Sequence, residues 1–223
     1  MNPADLPRDL RVHVDYLAIG PEIALIAAGL LIVLAAALNR GRLRIGWLYP
    51  LIGLGGVGAA AVVAGRQWSS IVDGAPYQAL AGMVAVDGFA VFVKAIVLVA
   101  TALGLLLVTG HLARRREESP EHFALLLLSA SGMLMMASAN DLIVVFLALE
   151  ILSIALYVLV ASDRRRAESQ EAGLKYFVLG AFSSAFFLYG VALVYGATGT
   201  TSLPGIAAYL AENTLLSDGL LLA

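Results

Sequence analysis

Long apolar runs, each about as long as a membrane-crossing helix, alternate with short polar segments along this chain. At a rise of 1.5 Å per residue, about 20 helical residues cross roughly 30 Å of hydrocarbon. The first run exceeds the roughly 7–15 apolar residues of a signal-peptide core, so we expect it to be retained. The pattern predicts six transmembrane helices. They are expected at Leu17–Leu38, Gly46–Ala64, Val84–Thr109, Phe123–Ala139, Leu142–Ala161 and Gly173–Tyr195.

A seventh helix is expected at the end of the sequence. The stretch TLLSDGLLLA is typical of a capped helix start followed by apolar residues. We therefore expect a helix to begin at Leu215 and to be cut at Ala223, as in a fragment of a longer protein. The predicted fold class is all-α, a polytopic transmembrane helix bundle.

Composition supports a membrane protein and excludes other classes. Of the 223 residues, 61% are hydrophobic and 13% charged, and the mean hydropathy is +0.90, unlike soluble or disordered chains. The chain has 14 Lys and Arg against 16 Asp and Glu. It therefore has no excess of basic residues to bind the phosphates of a nucleic acid. The chain has no cysteine, so disulfides, thiolate zinc sites and iron–sulfur ligation are excluded within it.

The arginines predict the orientation of the helices. Nine arginines lie in the first, third and fifth loops, and three lie on the other side at Arg8, Arg11 and Arg66. Because positive charge is retained in the cytoplasm, the N-terminus is predicted to lie outside and the arginine triplets inside. The triplets are Arg40, Arg42 and Arg44, then Arg114, Arg115 and Arg116, then Arg164, Arg165 and Arg166.

Glu150, Lys175 and Lys94 fall inside predicted helices and are the candidates for chemistry. Glu150 follows Asp141 by nine residues, which is about 13 Å along a helix and close to the membrane midplane. Lys175 and Lys94 are the chain's two lysines, and a buried lysine can lose its proton whereas an arginine cannot. Intramembrane charges are rare and are functional candidates by default.

A polar stripe suggests how these groups would act. Ser153 and Tyr157 lie three and seven residues after Glu150, on the same helix face, where hydrogen-bonding groups suit proton conduction. We expect Glu150 and Lys175 to form part of a proton relay entered from the cytoplasm. The alternative for Glu150 is a structural ion pair or a neutral hydrogen-bonded acid, and for Lys175 a side chain that reaches the headgroups.

Lys94 is a weaker candidate for the relay. Asp87 lies seven residues earlier on nearly the same helix face, so a static charge pair between Lys94 and Asp87 is equally compatible with the sequence.

Two stretches resemble the proton-conducting, antiporter-like membrane subunits of respiratory complex I. SGMLMMASANDLIVVFLALEILSIALYVLVA (Ser131–Ala161) is similar to the fourth and fifth helices of that family and contains its glutamate at Glu150. EAGLKYFVLGAFSSAFFLYGVALVYGATGTTSL (Glu171–Leu203) is similar to the next helix of the N-type members, with their lysine at Lys175. The resemblance implies that these two residues move protons.

The resemblance also implies the domain organisation and the partners. Residues 1–121 would hold the N-terminal arm and helices 1–3, and residues 122–223 the start of the first of two inverted repeats. The chain would bind no cofactor or metal, with NADH, flavin, iron–sulfur clusters and quinone on other subunits. Its expected partners are the other complex I membrane subunits and the lipid bilayer of the bacterial inner (cytoplasmic) membrane, and not nucleic acid.

Two other classes remain open at this stage. A subunit of a multi-component cation/proton antiporter or of a membrane hydrogenase would share the glutamate helix but use another energy source. A purely structural bundle is the third reading, and a midplane glutamate argues against it because such a charge costs about 2.5–3.5 kcal/mol on insertion scales.

Overall fold

A computed structural model describes residues 15–39, 46–115 and 119–212. Its elements in chain order are α1 (Gly20–Asn39), α2 (Leu48–Asp73), β1 (Tyr77–Ala79), β2 (Val84–Val86), α3 (Gly88–Arg115), α4 (Pro120–Ser138), α5 (Leu142–Val160), α6 (Ala167–Thr198) and α7 (Leu203–Glu212). Helices α1 to α6 are all long and apolar enough to span a membrane. The predicted fold class, an all-α polytopic bundle, is confirmed.

Helices α1 to α4 pack around one apolar core. Each contacts the next, and α4 closes the ring on α1. The core is filled by Leu25, Ile32, Leu105, Leu127 and Leu134, all fully buried or nearly so. Small residues allow close approach of the helices, as at Gly56 on α2, where a Cβ would lie 2.3 Å from that of Ala28 on α1.

Helices α5 and α6 extend from this ring in a row. α5 packs against α4, and α6 packs against α5. Few of their residues are buried: Ala148 and Ala155 on α5, and Gly173 and Val191 on α6. Their apolar side chains are therefore mostly exposed, which in a bilayer suits contact with lipid or with other transmembrane segments.

A small β-hairpin and two turns form a polar network at one end of the bundle. β1 pairs antiparallel with β2, and the turn between them uses positive φ at Leu80, Ala81 and Gly82. Asn140, between α4 and α5, donates its side-chain amide to the Gly82 carbonyl at 2.8 Å. Its own carbonyl accepts from the Leu203 amide of α7. The network joins the hairpin, the α4–α5 turn and the start of α7.

The opposite end carries the described arginines of the third and fifth loops. His122, early in α4, lies 3.1 Å from the hydroxyl of Ser162, just after α5. The α3–α4 and α5–α6 junctions therefore share one end of the bundle, as the arginine pattern requires. Which end faces the cytoplasm stays a prediction.

Several predicted boundaries were wrong, each for a local reason. The third run was predicted from Val84, but Val84–Val86 is strand β2, and α3 begins at Gly88 after Asp87 caps it by accepting from the Ala90 amide. α2 continues past Ala64 to Asp73 because helical hydrogen bonding outlasts the apolar pattern.

The start of α6 and the segment after it also differ from the prediction. α6 begins at Ala167, before the predicted Gly173, since its polar first turns do not register as a span. The short helix α7 was not predicted. The helix start predicted at Leu215 lies outside the described residues.

Candidate functional site

Glu150 lies half-buried near the middle of α5, facing α6. The hydroxyl of Ser184 on α6 donates a hydrogen bond of 2.5 Å to Glu150 Oε1. Asp141 fixes the start of α5, because its Oδ1 accepts from the Ile143 amide at 2.8 Å and its Oδ2 from the Thr201 hydroxyl at 2.7 Å. The carboxylate is therefore held about 13 Å from the capped helix start, with a donor from the neighbouring helix.

Tyr157 stands two turns further along the same stripe. Its hydroxyl occupies the place where a Cβ on Gly180 would lie, so a larger residue at that position of α6 would displace the tyrosine ring. The ring packs edge-on against Tyr176 and Phe177. Gly180 is one helical turn before Ser184, so the tyrosine hydroxyl and the Glu150–Ser184 pair lie at successive levels between α5 and α6.

Lys175 lies at the other end of this stripe. A Cβ on Gly173 would touch that of Ala161 at 2.5 Å, so Lys175, two residues later, is level with the end of α5. Its side chain is 69% exposed and pairs with Glu171 one turn earlier. Among the described residues, no ion pair joins Lys175 to Glu150, and nine residues of α6, about 13 Å, separate Lys175 from Ser184.

A cleft of about 1100 Å³ opens at the arginine-rich end of the bundle. Its walls include His122 from α4, Tyr157 from α5, Phe177 from α6 and the loop arginines. The cleft therefore leads from charged residues at the helix ends to Tyr157. Polar groups and space for water at this depth are suited to proton entry.

Lys94 occupies a different site, in the ring of α1 to α4. Its side chain is 1% exposed, and its Nζ lies 2.9 Å from Oε1 of Glu22 on α1, which is 5% exposed. The alternative considered from the sequence, a static pair with Asp87, is not the pair that Lys94 makes, because Asp87 accepts from the Ala90 amide as the cap of α3. The sequence analysis missed Glu22, although a carboxylate inside an apolar run was the signal that could have found it.

Gln67 on α2 lies close to the Lys94–Glu22 pair and was also not predicted. It is fully buried on α2, in the part of the helix that lies beyond the predicted span. Its Nε2 donates to the carbonyls of Leu17 at 2.6 Å and Ala18 at 3.0 Å. Lys94 Nζ lies 3.4 Å from the same Ala18 carbonyl, so polar side chains from α2 and α3 converge on the turn before α1.

Known proteins similar to this chain are membrane subunits of respiratory enzymes. Residues 139–223 match the family model described as NADH:quinone oxidoreductase/Mrp antiporter, TM. NADH-quinone oxidoreductase subunit N 2 of Koribacter versatilis is 43% identical over 88% of this chain and 40% of its own length. Subunit N of Trichlorobacter lovleyi is 38% identical over the whole chain and 44% of its own length.

Solved structures show the same helix arrangement. A chain of respiratory complex I from Thermus thermophilus with bound aureothin superposes with a TM-score of 0.63 at 33% identity, over 89% of this chain and 42% of that one. A chain of the membrane-bound sulfane sulfur reductase, an archaeal respiratory membrane complex, gives 0.65 at 25% identity over 90% and 42%. The present chain thus spans less than half the length of these relatives.

Together, the fold and these matches describe a helical, multi-pass chain that is similar to antiporter-like membrane subunits. Residues 139–223 match the NADH:quinone oxidoreductase/Mrp antiporter family of membrane subunits, and the curated relatives given above, which the chain covers to less than half of their length, are subunit N proteins.

Proposed function

We propose that this chain is part of a proton-translocating membrane subunit of an NADH:quinone oxidoreductase, and that Glu150 and Lys175 carry protons through it. The redox chemistry, with NADH, flavin, iron–sulfur clusters and quinone, takes place on other subunits of the complex. The chain acts in the bacterial inner membrane, with the arginine-rich end in the cytoplasm, beside other membrane subunits of the complex.

The observation that carries this proposal is the setting of Glu150. A carboxylate halfway along an apolar helix cannot reach either membrane surface, and a charge there is costly unless it serves a purpose. Its partner in the structure is a hydroxyl, not a fixed cation. A hydroxyl donates and accepts, so the carboxylate can gain and lose a proton without breaking an ion pair.

The proton path follows the levels along α5 and α6. A proton enters through the cleft at the arginine-rich end, where Lys175 lies level with the end of α5. It reaches Tyr157, which lines the cleft, and then Ser184 and Glu150 one turn deeper. Lys175 and Glu150 are therefore the two ends of this path and exchange protons through Tyr157 and water rather than by direct contact.

A second candidate function is a subunit of a cation/proton antiporter or of another respiratory membrane complex. It is favoured by the breadth of the family, which includes Mrp antiporters, and by the similarity to the sulfane sulfur reductase complex. Native membrane vesicles separate the two. NADH oxidation that drives proton uptake supports the first function, and proton movement driven only by a sodium gradient supports the second.

The test of the proposed function is Glu150→Gln in the native membrane complex. Glutamine keeps the size and the hydrogen bond but cannot bind a proton reversibly. We expect proton uptake into inverted vesicles to fall at least about tenfold, as for loss of a positioned proton-transfer group. The readouts are vesicle acidification, NADH oxidation and the amount of assembled complex.

The matched control is Glu168→Gln, the same substitution at an exposed position on α6, where the side chain is 77% exposed. We expect this variant to pump as the wild type does. Unchanged proton uptake by assembled Glu150→Gln complex would make Glu150 structural and refute the relay.

A further inference from the structure

A second set of buried ionisable groups lies in the ring of α1 to α4, apart from the path along α5 and α6. Lys94 is the largest fully buried side chain described. Glu22 pairs with it across α1 and α3, and Gln67 comes from α2. Three neighbouring helices thus each direct one polar side chain to the same place, near the ends where α1 and α3 begin.

Hydrogen bonding in this cluster is unbalanced toward acceptors. Neither carboxylate oxygen of Glu22 accepts a well-oriented hydrogen bond from the described residues, although Oε1 lies 2.9 Å from Lys94 Nζ. Gln67 Oε1 is also buried, and none of the described residues donates to it. A proton on Glu22 would turn one acceptor into a donor, so the cluster can gain from proton uptake by the carboxyl group.

Two arrangements of the protons in this pair have the same net charge. In a nonpolar interior, two opposite charges lose much hydration, and their attraction only partly compensates. The neutral pair, with an uncharged amine and a carboxylic acid, avoids that loss. Moving one proton from Lys94 Nζ to Glu22 Oε1 converts one state into the other without changing the net charge.

The cluster also lies close to one surface of the protein. The Ala18 carbonyl accepts hydrogen bonds from Gln67 and Lys94. Ala18 itself packs with Ala79 and Val86 of the hairpin, and Tyr77 and Ile71 pack against this group. Burial raises the pKa of Tyr77 above its usual value, and so does the Asp15 carboxylate, which accepts a hydrogen bond from the Tyr77 hydroxyl. Tyr77 and Asp15 are half-buried and lie beyond this small apolar layer, at the surface.

Among the residues that the structure describes, few charged and titratable groups lie around the cluster. From the segment before α1 and from the hairpin they are Asp15 and Tyr77, and from α3 Asp87, which is held as a helix cap. Arg66, next to Gln67 on α2, is exposed. Within the described part of the chain, the Glu22–Lys94 pair is therefore the buried ion pair at this end of the bundle.

We propose that Glu22 and Lys94, positioned by Gln67, form a second proton-holding site of this subunit, which exchanges protons with the hairpin-covered surface of the bundle. The inference rests on the proposed function, because a proton-holding site has a use only where protons are moved. By the arginine pattern this surface is the outer one, opposite the cleft through which protons enter.

The test replaces both charges in the native complex with neutral groups of similar size, Glu22→Gln with Lys94→Met. A neutral pair commonly substitutes for a buried ion pair in stability, whereas removing one partner leaves an uncompensated charge. We therefore expect the double variant to assemble and oxidise NADH, but to move about twofold fewer protons per NADH. Lys94→Arg, which keeps the charge but cannot release a proton, is expected to show the same loss.

The outcomes separate this inference from the proposed function. Wild-type proton yield in the assembled double variant overturns the inference, because the pair would then only hold helices together. Failure of the double variant to assemble overturns it as well, since neutral groups could not replace the pair even structurally. If Glu150→Gln loses pumping while the double variant keeps it, the proposed function stands alone, and if both pump normally, the proposed function fails.

Discussion

At the scale of single residues, the hydroxyl of Ser184 governs the environment of Glu150. It is the one side chain on α6 seen to donate to this carboxylate within the described residues. A hydrogen bond to a charged acceptor contributes about 1.5–3 kcal/mol. Loss of this donor leaves a half-buried carboxylate to be solvated by water alone, which changes how readily it exchanges its proton.

We expect Ser184→Ala to slow proton pumping by about threefold to tenfold while the complex still assembles, in line with the loss of one charge-assisted hydrogen bond. The adjacent Ser183 is exposed and makes a matched control, because Ser183→Ala removes the same hydroxyl from the same helix turn. Initial rates of vesicle acidification measure both. Equal rates in the two variants would show that the Glu150–Ser184 contact has no part in proton transfer.

Single residues differ in how far the sequence alone predicts their roles and partners. Glu150 was predicted because a carboxylate nine residues into an apolar run has no surface within reach, whatever the packing. The partner Ser184 was not predictable, since it depends on the register of α6 against α5, which Gly180 and Tyr157 set. Lys94 was noticed but its partner was not, because helix periodicity relates residues within α3 and says nothing about Glu22 on α1.

At the scale of elements, the contact between α4 and α5 sets the position of the glutamate helix. Gly132 on α4 lies against the backbone of α5, where a Cβ would come 2.8 Å from the Ala148 carbonyl oxygen and 2.8 Å from the Leu152 nitrogen. These two residues flank Glu150 in sequence. Because the obstacles are backbone atoms, a side chain at this position must push the two helices apart.

We expect Gly132→Ala to destabilise the subunit by about 1–3 kcal/mol, as for overpacking in a well-packed interior, and to lower the amount of assembled complex. Gly58→Ala on α2 is the control, because a Cβ there meets nothing within 4 Å. The midpoint of thermal unfolding of the purified complex measures the difference. A Gly132→Ala variant as stable as Gly58→Ala would mean that α4 and α5 are packed less closely than the structure has them.

Element boundaries were predictable where apolar pattern and hydrogen bonding end together, and not elsewhere. α5 begins at Leu142 as predicted because Asp141 is both the end of the polar turn and the helix cap. The hairpin was missed because its turn uses Leu80 and Ala81 at positive φ, where a sequence-based prediction expects glycine or asparagine. Its strands are three residues each, too short to form a pattern of their own.

At the scale of the whole molecule, the helices alternate in direction, so the loops fall into two groups at opposite ends. The hairpin, the α4–α5 turn and the start of α7 are joined by hydrogen bonds at one end. The cleft lined by His122 and the arginines lies at the other. The direction of proton movement in the proposed function depends on which end faces the cytoplasm.

Orientation can be measured directly because the chain contains no cysteine. Ala75, before the hairpin, and Arg165, in the α5–α6 loop, are both exposed, so Ala75→Cys and Arg165→Cys each give this chain a single thiol. Positively charged loops are retained in the cytoplasm. We therefore expect a membrane-impermeant maleimide to label Ala75→Cys in cells whose outer membrane has been made permeable and whose inner membrane is intact. Arg165→Cys should react only in inverted vesicles. The reverse pattern would place the cleft on the outer side, and the proposed path would then carry protons out of the site through the cleft and not into it.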